Sequence, residues 1–112
     1  MPGAIKPPPQ SKLAEEQQAF EQRQKQAQRT ALVLKQISDP TRLRTLLMLS
    51  DGEKHVVALA DELGVAQPVV NHHLSLLRHG GLVTPRRHGR SSYYELTEAG
   101  ERLAKLMKAI MG

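Results

Sequence analysis

Two short segments of helical periodicity meet at a single glycine in the middle of this chain, and that junction restricts the fold more than any other feature. The first segment runs from about Val56 to Leu63 and sets Val56, Leu59, Ala60 and Leu63 on one side. Gly64 follows, at the position where a left-handed residue closes a helix. The second segment runs from Gln67 to His79, with Val70, Leu74 and Leu77 on one face, and Gly80-Gly81 ends it. This spacing predicts a helix, a tight turn and a second helix, the helix-turn-helix arrangement. Turning Val70, Leu74 and Leu77 inward leaves Gln67, Asn71, His72, Ser75 and Arg78 outward. Gln and Asn side chains can pair bidentately with adenine, Ser and His can reach base edges or phosphates, and the helix N-terminus favours phosphate.

The next residues supply a second contact element. Leu82 to Arg87 and Ser92 to Leu96 read as two strands around His88-Gly89-Arg90-Ser91, a hairpin whose tip gathers Arg86, Arg87, His88 and Arg90. The charge pattern agrees. The formal net charge is +5, and all eleven acids lie at or before Glu62 or at or after Glu95. From Leu63 to Tyr94 there is no carboxylate, whereas Arg78, Arg86, Arg87, Arg90 and four of the five histidines fall there. A surface that lies against phosphate sheds acids in this way, because each carboxylate would repel the backbone.

The flanks suggest how so small a domain is completed. Residues 1–12, with Pro2, Pro7, Pro8 and Pro9, have almost nothing to bury and are expected to form a disordered arm. From Leu13 to Ile37 the chain is rich in Glu, Gln, Ala, Lys and Arg without Gly or Pro. Leu13, Phe20, Ala27 and Leu34 recur every seven residues, which predicts a thin amphipathic helix with a possible break near Thr30. Asp39 can cap the next helix and Pro40 suits its first turn, with Leu43, Leu46, Leu47 and Leu49 inward and Asp51-Gly52 at the end. Thr97 can cap a last helix carrying Leu103, Leu106, Met107 and Ile110. Phe20, Tyr93 and Tyr94 are the only aromatics besides histidine, so the core is aliphatic and modest. The expected fold is mainly α with a β-hairpin wing: a winged helix-turn-helix domain over residues 13–112, dimerised through its N- and C-terminal helices.

Several classes are disfavoured. The absence of cysteine removes disulfides and thiolate chemistry. No stretch is long and apolar enough for a membrane span, and no signal-peptide layout is present, so a cytoplasmic protein with no membrane partner is expected. No Ser-His-Asp set, paired carboxylates or phosphate-cradling glycine loop stands out, so an enzyme is not expected.

The sequence resembles the ArsR/SmtB family of winged-helix repressors over roughly Thr30 to Ile110. The resemblance rests on Ser38-Asp39-Pro40-Thr41-Arg42-Leu43-Arg44, on Leu63-Gly64-Val65-Ala66-Gln67-Pro68-Val69-Val70-Asn71-His72-His73-Leu74, and on Leu77-Arg78 followed by Gly81-Leu82-Val83. Gly89-Arg90 through Tyr93-Tyr94-Glu95-Leu96 fits as the wing. The resemblance implies a homodimer that binds double-stranded DNA at an imperfect inverted repeat and is released on sensing a metal or other signal. Ala66 stands where the family usually has Ser, removing a side-chain cap, while Val69 replaces a common small hydroxyl residue and His79 a usual acid. These departures bear on the operator sequence rather than on the binding mode.

The family's metal sites are not matched. His55 and Val57 stand at the positions of its Cys-x-Cys pair. In its last-helix site Glu98 matches the acid, but Gly100 and Met111 replace histidines. His72 and His73 match the recognition helix, and His79 lies about 10 Å along that helix from His72, too far for one ion to bridge. His88 is expected at phosphate. His55 alone is open to a metal role, holding nickel or zinc with Glu15, Glu16 or Glu21 of a partner subunit. The reading adopted is a DNA-binding transcriptional regulator, a repressor, with no metal cofactor. The alternatives are a nickel- or zinc-responsive regulator using His55, and a winged-helix module that binds another protein.

Overall fold

A computed structural model describes residues 9–112. Its elements run α1 (Pro9–Gln36), α2 (Pro40–Leu49), β1 (Lys54–His55), α3 (Val56–Leu63), α4 (Gln67–His79), β2 (Val83–His88), β3 (Ser91–Leu96) and α5 (Glu98–Met111). The chain divides into two units at Leu32 and Val33. Of the arm expected over residues 1–12, residues 1–8 lie outside the described residues and residues 9–12 are already helical. Pro9 opens α1 at a position where its missing N–H costs nothing.

The N-terminal unit is the greater part of α1. The break expected near Thr30 is not there: the Thr30 hydroxyl donates to the Gln26 carbonyl at 2.8 Å, a local bond that a helix accommodates. Leu13, Phe20 and Leu32 are exposed, at 62%, 56% and 63% of their surface. A helix this polar, with its few large apolar side chains in water, gains little from packing within the chain.

The C-terminal unit holds the core. Asp39 stops one helix and starts the next: its carboxylate accepts the Arg42 backbone N–H at 3.0 Å and Pro40 occupies the first turn. Leu46, Leu59, Val70, Leu74 and Leu77 are fully buried, with Leu49, Val56, Leu82, Val83, Leu103 and Ala104 closing around them. Thr45 is also fully buried, its hydroxyl satisfied by the Thr41 carbonyl at 2.7 Å. Leu43 and Leu47 are only half-buried.

The sheet has three strands, not two, in the order β1-β3-β2 and antiparallel throughout. β1 is two residues long, pairing Lys54 with Tyr94 and His55 with Tyr93, too short to show an alternation in the sequence. The hairpin turns at Gly89-Arg90, and Gly89 has φ 65°, which a type II′ turn requires at its first central position. Thr97 caps α5 by accepting the Gly100 N–H at 3.1 Å, and its hydroxyl donates to the Gly81 carbonyl at 2.6 Å. Among the described residues no helix is long and apolar enough to cross a membrane.

Candidate nucleic-acid interface

The interface is built on α3 and α4. His55 caps α3 through Nδ1, which accepts the Val57 N–H at 3.0 Å. Gly64 closes the helix with φ 69° and ψ 31°, its N–H reaching the Ala60 carbonyl at 2.9 Å. The chain then re-enters a helix at Ala66, which offers no side-chain cap, and Pro68 follows in the first turn. Val70, Leu74 and Leu77, all at 0% exposure, fix the rotation of α4 about its axis. Gln67, Asn71, His72, Ser75 and Arg78 are consequently exposed, as the periodicity predicts. Among the described residues, none of the five side chains makes a hydrogen bond or a salt bridge. Their donors and acceptors are free for an external partner.

The neighbouring histidine pair separates. His72 is exposed, whereas the His73 side chain is 13% exposed and faces α2. Its Nδ1 accepts from an Arg42 terminal nitrogen at 3.3 Å and lies 3.9 Å from an Asp39 oxygen. Burial holds the His73 pKa below the ordinary histidine value, Asp39 pulls the other way, and Arg42 and His72 add to the lowering. Asp39 is held below the usual carboxylate range, first by the Arg42 backbone N–H. At the far end of the helix His79 bonds to the Ser75 carbonyl at 2.7 Å, and Ser75, Arg78, His79 and Tyr94 line a shallow hollow between α4 and the sheet.

The wing has two faces, set by strand alternation. Val83, Pro85 and Arg87 share the core side with Leu96, Tyr94 and Ser92, while Thr84, Arg86 and His88 share the outer side with Glu95, Tyr93 and Ser91. The four basic residues at the tip are exposed, but they are not equivalent. His88, expected to meet phosphate, has its Nε2 2.7 Å from Glu53, in the loop before β1. Arg86 lies 3.6 Å from Glu95. The acid-free stretch of sequence is therefore not an acid-free surface, because β1 brings Glu53 beside β3 and Glu95 sits just beyond the window. Arg78, Arg87 and Arg90 have no carboxylate partner among the described residues, and Arg87 bonds to the Arg90 carbonyl at 3.4 Å across the turn.

The outer face holds one further cluster that sequence reasoning missed. Tyr93 sits between two imidazoles in T-shaped contacts, its ring centroid 5.0 Å from His55 and 4.8 Å from His88. The metal candidate His55 thus has one ring nitrogen committed to the α3 cap and its ring packed against Tyr93. Among the described residues no group of three His, Asp or Glu side chains lies close enough to hold a metal ion. At Gly100 the structure gives the reason a ligand is missing: a Cβ there would lie 2.0 Å from the Leu82 carbonyl oxygen.

Comparison with known proteins places this arrangement. The family model for bacterial regulatory proteins of the arsR family matches residues 39–84. The biofilm growth-associated repressor of Xylella fastidiosa is 37% identical over 90 residues, covering 80% of this chain and 77% of that protein. The transcriptional repressor SdpR of Bacillus subtilis is 34% identical over 64 residues, 57% of this chain and 71% of its own. Among solved structures, the transcriptional repressor BigR from Xylella fastidiosa superposes with a TM-score of 0.74 at 35% identity, covering 81% of this chain and 91% of that one. The homodimeric winged helix-turn-helix DNA-binding domain of Mb0332 from Mycobacterium bovis gives 0.71 at 31% identity, covering 80% and 83%.

Proposed function

The chain belongs to the ArsR family of bacterial regulatory proteins, and from that premise we propose that it is a cytoplasmic, homodimeric repressor that reads an inverted-repeat operator with α4 and grips phosphate with the wing. One observation carries the reading. α4 buries Val70, Leu74 and Leu77 completely and leaves Gln67, Asn71, His72, Ser75 and Arg78 exposed and unpartnered beside a basic hairpin. Side chains of these types distinguish base pairs in the major groove. Dimerisation draws support from apolar side chains that their own unit leaves in water: Leu13 and Phe20 on α1, and Leu106, Ile110 and Met111 on α5. The solved relative Mb0332 is itself homodimeric. The relatives compared above are named as repressors or regulators, in keeping with a protein that is not an enzyme.

Selection of bound DNA from a random pool tests the reading. The recovered site is expected to be a near-palindrome with half-sites about one helical turn apart. Sedimentation of the free protein should give about twice the 12.4 kDa chain mass. Recovery of no preferred sequence together with a salt-independent signal would support a protein-binding winged helix instead.

Within the wing the cations divide by partner. Arg90→Ala is expected to weaken operator and random DNA alike and to flatten the salt dependence by about one unit of slope per subunit. Arg86→Ala should do less, because Glu95 already offsets that charge. Equal slopes for the two variants would show that the ion pair on the outer face opens on DNA.

We also infer that the protein works without a high-affinity nickel or zinc effector. The commitments of His55 and the crowding at Gly100 support this. Calorimetric titration with each metal, followed by operator binding in its presence, is expected to show no submicromolar site coupled to DNA affinity. A tenfold coupled effect that disappears in His55→Ala would establish the metal-responsive alternative.

A further inference from the structure

One polar cluster outside the DNA-facing surface is more elaborate than packing requires. Arg42, in the first turn of α2, extends its side chain to two other helices at once. Its Nε donates to the backbone carbonyl of Gln36, the last residue of α1, and a terminal nitrogen donates to Nδ1 of His73 on α4. Asp39 holds the base of this arrangement through the Arg42 backbone N–H and faces the same imidazole nitrogen. A second contact lies where α4 ends. The Cγ of Gln36 would be 3.3 Å from a Cβ built on Gly80, so the terminus of α1 abuts the terminus of α4. His73 is next in the chain to His72 and two residues from Asn71, both in the proposed reading surface.

We propose that Arg42 and His73 form a positioning strap that sets the pitch of the recognition helix against the last turn of α1, so that operator selectivity depends on two residues that do not touch DNA. The inference rests on α4 being the reading helix. A guanidinium can only donate, so the strap requires an imidazole with a free lone pair on Nδ1. Its geometry is therefore available only to neutral His73. The groups facing His73 are Asp39 and Arg42 from the α2 end and His72 from α4 itself. A proton on Nδ1 would remove the acceptor, place a cation against Arg42, and leave Asp39 as the remaining attraction. His73 has its folded-state pKa lowered, so the neutral form is favoured by folding. The strap is fully present above the ordinary histidine value of about 6.5, and because the folded pKa is lowered it is lost only as pH falls below that value.

The test compares operator and random DNA for the full-length protein. His73→Phe keeps ring volume and removes the acceptor, while His73→Asn places an amide oxygen near the position of Nδ1. His73→Phe is expected to lower the operator-to-random affinity ratio about tenfold, in line with one charge-assisted hydrogen bond, and His73→Asn to recover most of it. The unmodified protein should lose selectivity over the same pH window, and His73→Asn should not. Arg42→Met should match His73→Phe, and the double variant should add little. If His73→Phe fails to fold, Arg42→Lys, which cannot span both partners, must show the loss. An unchanged ratio in folded His73→Phe or Arg42→Lys would overturn the strap while leaving the DNA reading intact. Failure of the unmodified protein to bind any DNA would instead overturn the reading beneath it.

Discussion

Asn71→Ala is expected to weaken binding to the selected operator by about 1–3 kcal/mol per half-site and to leave random DNA nearly untouched. In a symmetric dimer the substitution acts twice, so the loss on the whole operator is about double that figure. The argument begins with rotation. Three residues at 0% exposure pin α4, so Asn71 cannot turn away without pulling Val70 or Leu74 out of the core. Its amide is exposed, has no intramolecular partner among the described residues, and presents donor and acceptor together, the pattern that matches adenine in the major groove. Gln67, one turn earlier on the same stripe, should behave alike. Competition binding at one salt concentration measures both losses, since phosphate contacts common to all sequences cancel in the ratio. Equal losses on operator and random DNA would move the reading surface elsewhere.

Gly100→Ala is expected to destabilise the folded protein by about 3 kcal/mol, the upper end for forcing atoms into a packed site. The new Cβ would lie 2.0 Å from the Leu82 carbonyl oxygen and 3.3 Å from the Leu96 Cβ. The carbonyl is not free to retreat, because it accepts the Thr97 backbone N–H at 3.0 Å. The Thr97 hydroxyl binds the neighbouring Gly81 carbonyl as well, so α5 is sewn to the segment between α4 and β2 at two successive residues. Relief requires α5 to tilt, which would disturb Leu103 and Ala104 in the core. Thermal melts at fixed protein concentration should fall by about 13 °C for a chain of this size. A change of only a degree or two would mean that α5 stands further from Leu82. Histidine in this position, which the family's last-helix metal site uses, would crowd the same carbonyl.

The helix-turn-helix was legible because its signals are local and redundant. Gly64 marks the left-handed closure, and the periodic Val70, Leu74 and Leu77 reproduce the buried face with both helix boundaries. The sheet was only partly legible. Lys54-His55 carries no alternation, and its pairing with β3 depends on a contact across about forty residues of chain. Without that strand, Glu53 could not be placed beside His88, and the charge pattern read along the chain overstated the charge pattern in space. Thr45 was missed because a polar residue at a core position is satisfied by the helix's own Thr41 carbonyl, which sequence spacing does not reveal. Thr30 misled in the opposite direction, suggesting a break where its hydroxyl bonds back along a continuous helix. The role of Arg42 was hidden for a third reason: its partners are a backbone carbonyl and an imidazole thirty-one residues away.

The setting of Tyr93 makes this protein its own optical probe. The chain has no tryptophan, and its two tyrosines are adjacent on β3, so with excitation above the absorption band of Phe20 all intrinsic emission arises from one strand of the wing. Tyr93 carries an imidazole against each side, one from the wing tip and one from the α3 cap, while Tyr94 borders the hollow beneath α4. Emission intensity, and its change as the neighbouring rings move, therefore reports on the wing without a label. The helices proposed to carry dimerisation and base reading contain no tyrosine and remain dark in the same spectrum.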